Sequence, residues 1–157
     1  MKTIELSSGK VAIVDDEDYE LLKDYHWTFD GRYACRSNWN KEYKKESKIY
    51  MHKQIMGDPP ASDIKLHIDH IDRNKLNNTR GNLRFVSQKQ NNRNVGPKNK
   101  YKGVTKVRTG KFAAYIFSEG TRHHLGTFID EKEAARVYNA RAKELFGEYA
   151  YLNEIED

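Results

Sequence analysis

Residues 69–94 read DHIDRNKLNNTRGNLRFVSQKQNNRN and pack carboxylate, imidazole, amide and guanidinium groups into one short run. The preceding residues 64–68 (IKLHI) alternate well enough for a short strand with Asp69 and His70 at its end. Residues 82–86 (NLRFV) predict a second strand, and Ser87 stands where it caps a short helix carrying Gln90, Asn91 and Asn92. The order is strand, loop, strand, helix. Asn82 lies twelve positions past His70, and Asn91 nine further on, one turn into the helix. Strict alternation sends Asp69 and His70 to opposite faces of a strand. The chain is therefore expected to twist or turn there, and the loop at residues 72–81 is where that would happen.

The pattern resembles the HNH (His-Me finger) nucleases, especially the phage and intron homing-endonuclease branch. The resemblance implies a ββα-metal unit in which the histidine ending the first strand is the general base. The acidic residue before it binds a metal, a middle asparagine braces the loop, and a helix residue is the second ligand. Those roles fall on His70, Asp69, Asn82 and Asn91. Asn91 stands where the name-giving pattern has histidine, as in the homing branch. Residues 49–60, IYMHKQIMGDPP, resemble the segment before the active-site hairpin in that branch. His52 and His67 are thus possible additional site residues, although a structural role is the simpler reading of each. His67 shares Asp69's face of a regular strand and is the better placed.

A DH pair alone is an ordinary polar surface feature. Joined to Asn77, Asn78, the second strand and Asn91, it is specific. One carboxylate and one amide oxygen leave coordination positions for water and phosphate oxygens, which suits one hard divalent ion, Mg²⁺ or Mn²⁺, better than zinc. Phosphodiester hydrolysis needs a base near neutrality, which an imidazole of pKa about 6.5 supplies. It also needs a cation to stabilise charge on the phosphate.

Charge distribution agrees with a polyanionic partner. Residues 1–72 carry eleven Lys/Arg against fourteen Asp/Glu, residues 73–122 thirteen against one, and residues 123–157 four against eight. The net charge of +5 therefore conceals one strongly basic block that begins three residues after His70 and includes Asn82 and Asn91. Arg73, Lys75, Arg80 and Arg84 are its candidates for steering a nucleic-acid backbone. A single cysteine, Cys35, excludes an intramolecular disulfide and fits a reducing compartment. No long apolar run and no signal-like start are present, so the expectation is a cytoplasmic protein with no membrane partner and no small-molecule substrate.

The remainder reads as scaffold around this unit. Residues 3–6 and 10–14 predict two strands about a Ser-Ser-Gly turn, then a helix capped by Asp15 or Asp16 with Tyr19, Leu21, Leu22 and Tyr25 as its buried stripe. Residues 26–30 and 32–37 predict a hairpin around Asp30-Gly31, and residues 48–51 a strand turning into a helix at 52–56. Trp27, Phe29, Tyr33 and Trp39 are read as structural. Residues 95–100, broken by Gly96-Pro97, read as a linker between a nuclease domain (1–94) and a second domain (101–153).

That second domain predicts three strands, in YKGVTKV, KFAAYIF and RHHLGTF, followed by a helix over residues 131–146. Asp130 with Glu133 starts the helix, Gly147 closes it, and Ala134, Val137, Tyr138, Ala142 and Leu145 form its apolar stripe. Its Y-K-G-V, G-K-F-A-A-Y-I, H-L-G-T-F and E-A-A-R-V-Y-N elements resemble the Apetala-type (ethylene-response-factor) DNA-binding domain. Phe112, Ala114 and Ile116 are expected to face the helix. The resemblance assigns groove contacts to the opposite face: Lys102, Thr105, Val107, Tyr115, Phe117, Arg122 and His124. Lys106, Arg108 and Lys111 are candidate phosphate contacts.

The fold class expected is α+β. A ββα-metal nuclease unit on an N-terminal mixed α/β scaffold is joined to a three-stranded antiparallel sheet packed on one helix. The expected activity is metal-dependent endonucleolytic cleavage of double-stranded DNA, nicking or homing in character, by a monomer or weak dimer. The alternative is a non-catalytic DNA-binding regulator using the second domain.

Overall fold

Gly9, at φ +76°, lets the chain reverse between β1 (Lys2–Glu5) and β2 (Val11–Val14), which pair antiparallel. They begin the first of two compact units, Met1–Gln88 and Lys89–Asp157, in a computed structural model that describes residues 1–62 and 64–156. The architecture is mixed α/β, with small antiparallel sheets and few helices.

Helix α1 (Asp16–Leu22) follows β2, but its buried positions are Asp18 and Leu22, whereas Leu21 is 67% exposed and Tyr25 is also exposed. The expected apolar stripe is corrected by an ion pair. Asp18 faces inward because the Arg80 guanidinium meets it two-pronged, Nε at 2.9 Å and Nη2 at 2.7 Å. The Asp15 carboxylate, expected as a helix cap, instead accepts the Arg80 backbone N–H at 2.7 Å.

Next come β3 (Thr28–Phe29), β4 (Ala34–Asn40) and β5 (Lys45–Tyr50), one antiparallel sheet in that order. Asp30 Oδ1 accepts from the Arg32 and Tyr33 amides and shapes the first turn. The β4–β5 ribbon extends three residues past the expected end at Ser37 and starts three before Lys48. Asn40 accepts the Tyr43 amide and Lys44 adopts φ +45°, which closes the tip. Of the four aromatic residues read as structural, Trp27 is in the core with Nε1 donating to Leu22 O, whereas Trp39 is 58% exposed on this ribbon. Helix α2 (Met51–Met56) ends at Gly57, φ +66°. Ile4, Leu6, Val14, Leu22, Trp27, Met51, Ile55 and Leu83 form the core of the unit.

Strand β6 is Leu66–His70, so Asp69 and His70 lie in the ladder itself. A 3₁₀ turn, Arg80–Asn82, then leads into β7 (Leu83–Ser87). Asn82 therefore sits in the turn and not in the strand. Pairing is unbroken from Leu66↔Ser87 to His70↔Leu83, so the expected twist at Asp69 does not occur. The reversal comes after His70, where Arg73 takes φ +68° and its amide donates to His70 O at 2.9 Å.

Helix α3 (Gln88–Asn94) follows β7 directly. In the second unit, β8 (Val104–Lys106), β9 (Phe112–Ser118) and β10 (Thr121–Phe128) form a sheet with β9 central. Helix α4 (Glu131–Phe146) is capped by Asp130, which accepts from Lys132 N, and ended by Gly147. Ala134, Ala135, Tyr138 and Ala142 pack on the face carrying Ala114 and Ile116. Ala135 replaces Leu145 of the expected stripe, since Leu145 is exposed. Methyl-sized side chains let helix and sheet approach closely. Among the described residues no helix is long and apolar enough to cross a membrane.

Two substitutions test this packing. A Cβ on Gly103, φ +76°, falls 2.1 Å from the Tyr138 ring and 2.5 Å from Tyr115 O. Gly103→Ala should cost about 3 kcal/mol or more in urea unfolding of the second unit. Arg80→Met leaves buried Asp18 unmatched and should cost about 2 kcal/mol. Restoration of stability in Asp18→Ala/Arg80→Met identifies the stranded charge as the cause.

Candidate active site

The loop between β6 and β7 is held by its own side chains. Asn82 Oδ1 accepts the Asp72 amide at 2.9 Å, while its Nδ2 donates to Asp72 Oδ1 and Asn77 O, both at 2.8 Å. Asp72 Oδ1 also accepts Asn74 N, and its Oδ2 accepts Asn77 Nδ2 at 2.8 Å. Asn74 and Asn77 in turn bind the Leu76 and Thr79 amides. Asn and Asp recur in this stretch because each can satisfy backbone that belongs to neither helix nor sheet.

Inside the loop, His70 is wholly buried and its Nε2 lies 3.3 Å from Asn78 Oδ1. The Asn78 amide nitrogen points to Leu76 O at 3.3 Å and Met51 Sδ at 3.6 Å, so its oxygen faces the imidazole. That orientation requires Nε2–H as donor and assigns the neutral tautomer with an unprotonated Nδ1. Burial, with Lys75 nearby, holds the His70 pKa below its ordinary value against the raising influence of Asn78 and Asp72. Sequence reading noted Asn78 only as half of a doublet. Its partnership with His70 comes from the loop's fold, and no local signal reveals it.

His70 meets the His52 ring at 5.4 Å, edge to face, and the Tyr33 ring at 6.1 Å. His52, ranked below His67 from strand alternation, is thus the imidazole packed on His70. His67 is half-buried opposite Val86. Helix α2 turns His52 inward beside Met51 and Ile55. Its Nδ1 is buried with no hydrogen-bond partner, and burial first, then His70, lowers its pKa to about 3.

Asp69, on the opposite face of β6, is buried and paired with Arg84 directly across the ladder, with Arg84 Nη2 and Nε at 3.0 and 3.3 Å from Oδ2. Arg80 engages Asp18 as described. Lys75 is half-buried, its ammonium 5.9 Å from the Tyr33 ring centroid, and burial lowers its pKa. Asn91 is half-buried on α3, within the second unit.

The remaining sequence candidates lie on the sheet of the second unit. Ladder pairs Phe117↔Arg122 and Tyr115↔His124 put these four side chains on the helix-free face. Arg122 stacks on Tyr115 at 3.6 Å, and His124 lies 5.1 Å from the same ring. Phe117 is 66% exposed. Thr105 flanks Ala113 on this face, while Lys106 lies opposite Phe112 on the other; Arg108 and Lys111 are exposed. Lys102 differs from its expected role, since its ammonium donates to Arg93 O at 2.7 Å and Val95 O at 2.6 Å. It closes the C-terminal end of α3.

Residues 59–93 match the family model for HNH endonuclease, a span that contains the loop and both its strands. An uncharacterized HNH endonuclease of Acanthamoeba polyphaga mimivirus is 33% identical over 151 residues, covering 94% of this chain and 77% of that one. The chain belongs to the HNH endonuclease family. This HNH endonuclease also shares short segments with two plant proteins. A putative AP2/ERF and B3 domain-containing protein of Oryza sativa subsp. japonica is 40% identical over 57 residues, 36% of this chain and 18% of that one. Dehydration-responsive element-binding protein 2D of Arabidopsis thaliana is 44% identical over 55 residues, 34% of this chain and 27% of that one.

The depressed His52 pKa gives the endonuclease a pH signature. A histidine neutral when folded and titrating near 6.5 when unfolded binds more protons in the unfolded state. Stability should therefore fall as pH drops from 6.5 towards about 3, by up to about 1.4 kcal/mol per pH unit for one site. Urea titrations at pH 7, 5.5 and 4 should show a shallower decline in His52→Phe than in the parent. Equal slopes would exclude His52 as a source.

Proposed function

We propose that this HNH endonuclease hydrolyses phosphodiester bonds of double-stranded DNA, with His70 as general base and one divalent ion, Mg²⁺ or Mn²⁺. The observation carrying this reading is the contact between His70 Nε2 and Asn78 Oδ1. Asn78 Oδ1 accepts a hydrogen bond from Nε2–H, so Nδ1 is the nitrogen that can receive a proton from water. Burial favours the neutral ring near pH 7, as a base requires. The ring is covered by Tyr33 and His52, so bound substrate has to open that cover for water to reach Nδ1.

The donor chemistry fits a hard ion. Asp69 supplies a carboxylate and, by the family resemblance, Asn91 an amide oxygen. Oxygen donors of this kind suit an ion that keeps water and takes substrate phosphate oxygens. When bound, the ion supplies charge stabilisation at the oxygen leaving phosphorus. Asn78 holds the base in its tautomer and Asn82 holds the loop. Arg84 orients Asp69, and Arg73 and Lys75 meet the backbone, assisted from the loop by Arg80. By resemblance to the family, the products carry 5′-phosphate and 3′-hydroxyl ends.

Residues 101–153 act in this proposal as an Apetala-type DNA-binding domain, joined through 95–100 to the nuclease domain at 1–94. The plant relatives support it, as does a helix-free sheet face bearing Thr105, Tyr115, Phe117, Arg122 and His124. Lys106, Arg108 and Lys111 flank that sheet as phosphate contacts. Holding the duplex there raises the effective concentration of the nuclease site at a nearby bond. One site per chain makes the monomer a nicking enzyme, in keeping with a homing role in the cytoplasm of a host cell.

Supercoiled plasmid incubated with Mg²⁺, Mn²⁺ or EDTA tests the reading. The parent should give open circles only with metal, and His70→Ala should cut at least about 10²-fold more slowly. Asn78→Ala should lose about 10–100-fold in rate with little change in duplex affinity, since it frees the wrong tautomer. If parent and His70→Ala both shift duplex on a native gel and neither cuts, the catalytic reading fails.

A further inference from the structure

The β4–β5 ribbon leaves the body of the first unit with almost every residue beyond Arg36 exposed. Trp39 lies on one strand at 58% exposure and Tyr43 in the tip at 72%. Neither contributes to the core, and each offers an apolar ring with a polar handle of the kind enriched where proteins meet partners. Charge specifies which kind. Residues 32–54 carry seven Lys/Arg against two Glu, whereas residues 1–31 carry three against eight. The cations of this N-terminal stretch are concentrated on the ribbon and the helix that follows it.

Their placement is ordered. A cleft of about 320 Å³ at the base of the ribbon is lined by Arg36, Lys48, Ile49, Tyr50, Lys53 and Gln54, three cations and no carboxylate. Arg36 is fixed there by Gln54 Oε1 at 3.1 Å and by stacking 4.0 Å over the Tyr25 ring. Lys48 Nζ lies 3.9 Å from the Asp30 carboxylate, a loose pairing. Glu46, across from Trp39, accepts the Ser37 hydroxyl, and Glu42 is exposed in the tip.

Register ties this surface to the nuclease site. Cys35↔Tyr50, Ser37↔Lys48 and Trp39↔Glu46 share one face of the ribbon. At its base the Tyr50 ring stacks on His52, 5.7 Å away at 22°, and His52 meets His70 at 5.4 Å. A face bearing aromatic and cationic side chains thus runs down to the imidazole, over a ribbon about 20 Å long. A two-stranded ribbon is of a size that B-DNA accommodates in its major groove.

We infer that the β4–β5 ribbon is a DNA-binding element of the nuclease unit, gripping the phosphate backbone with Lys48 and Lys53 and laying Trp39 against the duplex. The inference rests on the proposed DNA substrate. It adds a contact surface separate from the sheet of the second unit.

The test uses full-length His70→Ala protein, which binds without cutting, and a fluorescently labelled duplex titrated at several salt concentrations. Lys48→Gln/Lys53→Gln, both exposed positions, should weaken binding about tenfold at 0.1 M salt and lower the slope of log K against log salt by nearly two. The chain has two tryptophans and Trp27 is buried, so quenching of intrinsic emission by unlabelled duplex reports Trp39 and should vanish in Trp39→Phe. Trp27 emission in that variant checks that the fold is intact. Unchanged affinity, salt slope and quenching, in a parent that binds duplex, overturn the ribbon alone. A parent that binds no duplex overturns this inference and the proposed substrate together.

Discussion

Asn82 and Asp72 close the loop after His70 upon itself, amide to carboxylate and amide to backbone. The rest of the site follows from that closure. In the proposed role as general base, His70 needs its proton on the nitrogen away from the reaction. The loop achieves this by folding Asn78 back beneath the ring, with its amide nitrogen occupied by Leu76 O. Were Asn78 able to flip, the imidazole would see a donor and the tautomer would reverse. The network is thus a device for orienting one amide group.

Asp69 and His70 illustrate a division of labour imposed by the strand. Their side chains leave opposite faces of β6, and both are buried because each face is covered. Asp69 finds Arg84 across the ladder. His70 finds Tyr33, His52 and Asn78. The strand needs no distortion to serve both, since the environments differ in kind, ionic on one side and aromatic on the other.

Much of this was legible in the sequence, for reasons that are local. The strand–loop–strand–helix order follows from alternation and turn residues, and the helix in the second unit starts at Glu131 because Asp130 caps it. What sequence did not reveal required contacts between distant segments. Asp18 looks like a solvated helix residue until Arg80, sixty-two positions away, pairs with it. His67 seemed better placed than His52 because strand periodicity is visible in a sequence, whereas the approach of α2 to β6 is not. Lys102 reads as a free cation on a basic sheet, yet it closes α3. Trp39 read as scaffold because alternating aromatics usually are, and a ribbon that outgrows the core cannot be recognised from alternation.

The same long-range contacts bear on how the chain acquires its structure. The Ile13 amide donates to Leu76 O and Ile13 O accepts the Asn78 amide, while Asp15 and Asp18 hold Arg80. The loop between β6 and β7 is therefore one wall of a structure whose other wall is the N-terminal hairpin and its helix. Contacts of such wide sequence separation form late and slowly, because a long loop must close before any of them contributes. During synthesis the hairpin can form early but cannot organise the loop until residues beyond 80 have emerged. The His70 environment thus depends on closure of the whole first unit and is not a local property of residues 69–94.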